Sequence, residues 1–388
     1  MRWVEELVFC CWVRGLVRQD TQIRMGLNEI LRGKGGKNMK VFECRGTHRD
    51  IGRTIGEVLR EEIRSHINGF LPPENEAPNR KIDKFRESLA RFLPEVLEQF
   101  EGMAEASGIP ERRILELNLP VNIVIPDLEQ ECSNIVFADG PDGPLWGKNN
   151  DGDFPPNTGP VVDGKGRRPV ALMKIYPNDG IPAICLTFCG WLSGGDMMNA
   201  EGVAVGHSSV GTSFQQSLSN PPLLQWLYSG MFQYKSAEDL ARHVTSTALR
   251  GKGFTLAVVD KRGNMFSAEL ACPLAQIRRP ADGDLAMNCV NHYQLPCLKD
   301  MVLKQRDQKS LANSRGRQKY LEAAVKDGDR SIEHMKKILR HHGDISICRH
   351  GGKDLAYTEY SMIGVVKEGK FLFVDGYPCE KEYLEVTF

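Results

Sequence analysis

Glu131-Cys132-Ser133-Asn134-Ile135-Val136-Phe137, the turn Asp139-Gly140-Pro141-Asp142-Gly143-Pro144, and Leu145-Trp146-Gly147-Lys148-Asn149-Asn150-Asp151 mark where this chain changes character. Before them the sequence is largely helical. From Asp50 to Ile67 the spacing of Ile51, Ile55, Val58, Leu59 and Ile63 suits one amphipathic helix. A second helical stretch covers about 81–107, with Phe85, Leu89, Phe92, Leu93, Val96, Leu97, Phe100 and Met103 on one side. Pro94 divides it, and Gly108 with Pro110 ends it. After Cys132 come short strands between Gly, Pro and Asp turns: 133–138, 144–149, 170–176, 183–189, 202–208, 254–260 and 265–270. Residues 222–232, 237–248 and about 315–340 read as helices, and 361–367 with 370–377 as a closing hairpin across Glu368-Gly369. Helices outside and many consecutive strands inside predict an α+β fold: a four-layer αββα sandwich, sheet on sheet with helices over both outer faces.

Working outward, Met39 opens a strand-like MKVFEC, and residues 1–38 read as an extension ending in the basic Arg32-Gly33-Lys34-Gly35-Gly36-Lys37. The expected organisation is therefore 1–38 extension, 39–131 largely helical segment and 132–388 strand-rich segment, the last two forming one domain. Lys plus Arg and Asp plus Glu both total 50, so no net field favours nucleic acid or an anionic membrane. No run of ~18 apolar residues is present to form a spanning helix. The 11 cysteines are irregularly spaced with no CxxC pair, which argues for a reducing compartment, and the cytoplasm is the expectation.

A cysteine in a strand is most often an inert, small core residue. What distinguishes Cys132 is the turn after its strand, because a hairpin across it returns Asp151 towards Cys132. Competing readings fail on particular residues. Asn149-x-Asp151-x-Asp153 begins like a calcium loop, but Phe154 stands where the tight-turn Gly belongs and Pro160 at the bidentate Glu position. Gly206-His207-Ser208-Ser209-Val210 lacks the second Gly of a nucleophile elbow. Cys348 and His350 are too closely spaced for a usual zinc site, and His341-His342 brings no CxxC partner, so no metal and no cofactor is expected. Gly33–Gly36 lacks the ending of a P-loop, and a papain-like cysteine would start a helix rather than a strand.

ECSN followed by GKNND resembles the autoproteolytic acyltransferase/hydrolase family that includes penicillin acyl-CoA acyltransferase and carcinine-type amide hydrolases, within the N-terminal-nucleophile hydrolases. The resemblance runs from about Lys40 to Phe388. It takes in CRGTHRDIGRTIGEVLREEI and LEQFEGMAEASGI upstream, and MMNAEGVAV, VNHYQLP, SICRH and VDGYPC downstream. It implies cleavage between Glu131 and Cys132, leaving Cys132 with both a thiol and a free α-amine, and two chains that stay associated. It implies Asp151 and Arg349 as a charge pair beside the nucleophile, Asn291 as an oxyanion donor, and Ser208, His207 and His292 at the substrate pocket. Two departures stand out: Glu131 replaces a Gly before the nucleophile, and Ser208 stands where relatives often have Asn. The substrate implied is a small acyl amide or a thioester such as an acyl-CoA. Amide hydrolysis is favoured, since no feature demands a CoA site. The alternative is an unprocessed relative serving as a binding or scaffold protein, and a homo-oligomer stays open.

Overall fold

The structure, a computed structural model, describes residues 39–119, 131–153, 168–214, 216–302, 308–326 and 328–388. The expected extension 1–38 and the discarded calcium-loop positions Phe154 and Pro160 lie outside them. Strand β1 (Lys40–Gly46) leads into α1 (His48–Val58), whose N-terminus is closed by a reciprocal Thr47–Asp50 capping box. The single helix expected over 50–67 is two: α1 ends at Leu59 and α2 (Arg60–Phe70) restarts there. Pro94 divides the next stretch as expected, into α3 (Asn79–Phe92) and α4 (Pro94–Ser107), and Gly108 ends α4 in the left-handed conformation. Helix α5 (Glu111–Leu117) comes next.

Two sheets make the interior. The first has the order β1, β4 (Val170–Pro177), β5 (Ala183–Phe188), β6 (Asp196–Asn199), β7 (Val203–Ser209), β8 (Phe254–Asp260), β9 (Met265–Leu270) and β10 (Ala275–Arg278). The second has the order β11 (Ala286–Cys289), β2 (Glu131–Phe137), β3 (Leu145–Gly152), β12 (Tyr357–Val365), β13 (Lys370–Asp375) and β14 (Leu384–Thr387). Strands β2 and β3 of one sheet pack against β7 and β8 of the other. Helices α1, α6 (Leu223–Met231) and α7 (Ala237–Thr245) cover the first sheet; α8 (Gln308–Ala324) and α9 (Ile332–Leu339) cover the second. This is the four-layer αββα arrangement. Strand β1 pairs in parallel with β4, so the segment before Cys132 supplies an edge strand to a sheet otherwise built from residues after it. The helix expected over 315–340 is interrupted around Gly328, and Ser331 caps α9 by accepting from the His334 N–H. Among the described residues no helix is long and apolar enough to cross a membrane.

Two of the upstream segments owe their glycines to backbone contact. A Cβ on Gly52 would lie 2.0 Å from the Gln99 carbonyl oxygen, one on Gly56 2.3 Å from that of Met103, and one on Gly102 2.2 Å from that of Arg49. Helices α1 and α4 therefore touch main chain to main chain, and the obstacle is carbonyl rather than a side chain that can turn away. Gly52→Ala is expected to destabilise the protein by about 1–3 kcal/mol through overpacking, checked as a fall in the denaturant midpoint at unchanged slope.

Candidate active site

The turn at 139–144 pairs β2 with β3 in antiparallel register: Glu131 faces Asp151, Cys132 faces Asn150, and Asn134 faces Lys148. Because side chains alternate along a strand, this register sorts the residues onto two faces. Cys132, Asn134, Lys148 and Asn150 project between the sheets; Glu131, Ser133 and Asp151 project towards α8 and the segment after α9. The thiol and the main charge cluster are thus served from opposite sides of one strand.

On the helix side, Glu131, Asp151, Arg317 and Arg349 are almost completely buried. Arg317, on α8, donates to the Cys132 carbonyl oxygen at 2.5 Å, to Ser133 Oγ at 3.1 Å and to Glu131 Oε2 at 3.2 Å. Arg349 reaches Glu131 Oε2 at 2.6 Å and lies 3.6 Å from Asp151 Oδ2. Ser310 Oγ also donates to the Glu131 carboxylate. Thr358 donates to Asp151 Oδ1 at 2.8 Å. Two carboxylates against two guanidiniums balance the buried charge, which desolvation would otherwise make costly. Burial pushes the Asp151 carboxyl up to about 6, against the downward pull of Arg349 and Arg317.

Between the sheets the Cys132 Sγ lies 3.5 Å from Asn150 Oδ1. Burial pushes its thiol up to about 11, opposed by the positive charge of Lys148. Lys148 is itself buried and paired with Asp196 on β6 at 2.5 and 2.7 Å. His207 Nδ1 sits 3.2 Å from both Lys148 Nζ and Asp196 Oδ1, and Tyr360 donates to Asp196 at 3.2 Å. Burial alone would raise the Asp196 carboxyl, but Lys148 and His207 outweigh it and hold it below the usual range.

Asn291 joins the two sides. Its Oδ1 accepts from the Cys132 backbone N–H at 2.8 Å and from Arg317 Nη2 at 3.0 Å, while its Nδ2 donates to the Ser209 carbonyl at 2.6 Å. The structure therefore brings Glu131, Cys132, Asp151, Asn291 and Arg349 together. Ser208 Oγ accepts from Asn134 at 2.7 Å on the thiol side, with His207 nearby. His292 is directed elsewhere, to Ser314 at 2.9 Å and Gln318 at 2.7 Å. Cys132 is 1% exposed, and it is not among the residues that line the cavity formed by Trp191, Ser193, Arg250 and Phe254.

Sequence reasoning gave no role to Arg317, Lys148 or Asp196. Lys148 carried a usable signal: it lies within GKNND and shares the face of Cys132 across the hairpin, where a buried lysine requires an acidic partner. Arg317 and Asp196 carried none, since each meets the site through tertiary packing.

No protein family matches the chain, and no curated protein matches it. Among solved structures it is similar to a mutant conjugated bile acid hydrolase from Clostridium perfringens, at 11% identity and TM-score 0.40, covering 66% of this chain and 92% of that one. It is similar to a Caenorhabditis elegans N-acylethanolamine-hydrolyzing acid amidase ortholog, at 12% identity and TM-score 0.40, covering 61% and 93%. It is also similar to penicillin V acylase from Agrobacterium tumefaciens, at 13% identity and TM-score 0.39, covering 63% and 83%.

Proposed function

We propose that the chain is a precursor of an N-terminal-nucleophile cysteine enzyme that cleaves itself between Glu131 and Cys132 and then hydrolyses or transfers small acyl groups. One observation carries this reading: the peptide joining the two residues is held at its nitrogen and flanked on both sides by gripped groups. Asn291 holds the Cys132 nitrogen, while Arg317 spans the Cys132 carbonyl and the Glu131 carboxylate that Arg349 also grips. In maturation the thiol sulfur adds to the Glu131 carbonyl carbon. The C–N bond then breaks as the Cys132 nitrogen takes up the thiol proton. Water hydrolyses the resulting thioester, leaving a carboxylate on Glu131 and a thiol with an α-amine on Cys132. Residues 39–131 and 132–388 stay associated because β1 lies in the sheet beside β4.

We further propose that the new chain end withdraws Glu131 from Arg317 and Arg349 while β1 keeps its chain attached, which changes the electrostatics. Arg317 and Arg349 then face Asp151 with one buried carboxylate fewer, and the positive excess lowers the proton affinity of the new amine from its ordinary ~8. The neutral amine can take the thiol proton, so no separate histidine is required. The thiolate attacks an amide or thioester carbonyl; water completes a hydrolase, an amine completes an acyl transfer. Ser208 and His207 belong to the acyl side of this site, and the packing of His292 away from Cys132 argues for a supporting place behind Asn291.

The same excess positive charge favours substrates carrying a carboxylate near the scissile carbonyl, where the Glu131 side chain stood. The test is a screen of processed enzyme against N-acyl amino acids, β-alanyl amines and acyl thioesters, in pairs with and without that carboxylate. The acidic member is expected to have kcat/KM higher by about tenfold, the worth of one charge-assisted hydrogen bond. A preference for neutral or cationic donors would remove the anionic subsite. A single inactive chain of full mass would instead support the unprocessed binding protein.

A further inference from the structure

Away from the Glu131–Cys132 peptide, four side chains from two turns converge. His342, Cys348 and His350 come from the segment after α9, and Cys379 from the turn after β13; one donor atom from each lies within 4.8 Å of the others. Cys348 Sγ is 3.5 Å from Cys379 Sγ and 3.6 Å from His350 Nε2, and His350 Nε2 is 3.3 Å from Cys379 Sγ. Around a tetrahedral zinc with ordinary bond lengths, sulfur–sulfur edges are about 3.8 Å and sulfur–nitrogen edges about 3.6 Å. The three measured edges fall within a few tenths of an ångström of those values.

The surroundings hold the donors in place. The His350 ring stacks on Tyr377 with centroids 3.8 Å apart and planes 15° from parallel. The His341 carbonyl accepts from the backbone N–H groups of Ile347 at 3.0 Å and Cys348 at 3.1 Å, closing the loop that sets His342 beside Cys348. The His350 N–H donates to Asp354 at 3.1 Å. Cys348 is buried while the other three donors are exposed, so an ion can enter from solvent. Two sulfur and two nitrogen donors with no oxygen suit zinc, and four protein ligands leave no open position for chemistry.

We propose that His342, Cys348, His350 and Cys379 form a structural site for one zinc ion, which pins the Arg349 segment to the turn after β13. The proposal departs from the expectation of no metal. Cys348 and His350 are indeed too close in sequence to make a site alone, but folding supplies His342 and Cys379. Arg349 lies between two of the ligands and points the other way, onto Glu131 and Asp151. The ion would fix the backbone from which that guanidinium reaches them.

The test uses the full chain carrying Cys132→Ala, which removes the nucleophile's sulfur as a donor and makes the result independent of self-cleavage. After reduction, chelation and removal of the chelator, the protein is titrated with cobalt(II) and then zinc. One equivalent of cobalt is expected, with the intense visible absorption of a tetrahedral ion and a near-ultraviolet thiolate charge-transfer band, both abolished by one equivalent of zinc. Adding Cys379→Ser, an exposed position, should weaken binding at least about 100-fold, since even loss of a supporting partner costs 10–100-fold. Zinc should also slow amide exchange across 346–350. Absence of stoichiometric cobalt binding, a pale octahedral spectrum, unchanged affinity with Cys379→Ser, or a Cys348–Cys379 disulfide in anaerobically purified protein would overturn the site. Unchanged exchange at 346–350 would overturn its role in positioning Arg349.

Discussion

Wild-type protein is expected to separate on denaturation into two chains, the second beginning at Cys132, whereas Cys132→Ala should remain one chain of full mass. The expectation rests on the groups that hold the Cys132 nitrogen and the Glu131 side chain, and on the thiol carried by Cys132 itself. Maturation should also report on Asp151. No free α-amine exists at Cys132 before cleavage, and burial pushes the neighbouring Asp151 carboxyl up to about 6. It is protonated below that pH and ionised above it. Ionised Asp151 pairs with Arg349 and so steadies the hairpin that carries the nucleophile, and the cleavage rate should rise through about pH 6 and then level off. Asp151→Asn should slow cleavage and lose this limb, and should slow turnover as well. A rate that climbs log-linearly towards pH 11 would point instead to free Cys132 thiolate, whose thiol is pushed up to about that value. Cleavage at another bond, or full activity in the intact chain, would dismiss the mechanism.

Asn291→Ala in processed enzyme should lower kcat by ~10²–10³, the usual cost of a lost oxyanion donor, with a much smaller change in substrate binding. In the uncleaved chain the Asn291 amide N–H is engaged by the Ser209 carbonyl, and its oxygen holds the Cys132 nitrogen. Two contributions are therefore at stake: an oxyanion donor, if the amide is released from Ser209 in the mature form, and an acceptor for the catalytic amine. Asn291→Asp separates them, because it keeps the acceptor and removes the donor. Equal damage in both variants assigns the loss to the donor. Near-normal kcat in Asn291→Asp with a crippled Asn291→Ala assigns it to holding the amine, and near-normal kcat in both would show that another group fills each role.

The layer order and most elements were legible along the chain because their signals are local. Pro94 and Gly108 break helices by their own backbone chemistry, and the turn at 139–144 forces a hairpin whichever core surrounds it. The helix over 50–67 was overextended because Leu59 is apolar and in phase, so nothing in the pattern announces the restart there. Short strands β10, β11 and β14, of four residues each, were missed because so few residues show no period. Ser208 and His207 were placed near the nucleophile by resemblance, yet their partners Asn134 and Asp196 emerged only in three dimensions.

By itself the sequence announced the hairpin that returns Asp151 towards Cys132, since turn chemistry acts over a few residues; the register, with Asp151 opposite Glu131 and Lys148 on the face of Cys132, came from the folded structure. Tertiary structure alone decided which charges meet there. Arg317 reaches Glu131 from 186 positions away, Arg349 from 218, and Asp196 reaches Lys148 from the opposite sheet. It likewise gathered His342, Cys348, His350 and Cys379 from two separate turns. Buried ions and metal donors are selected by their surroundings after water is excluded, and no spacing along the chain encodes that environment.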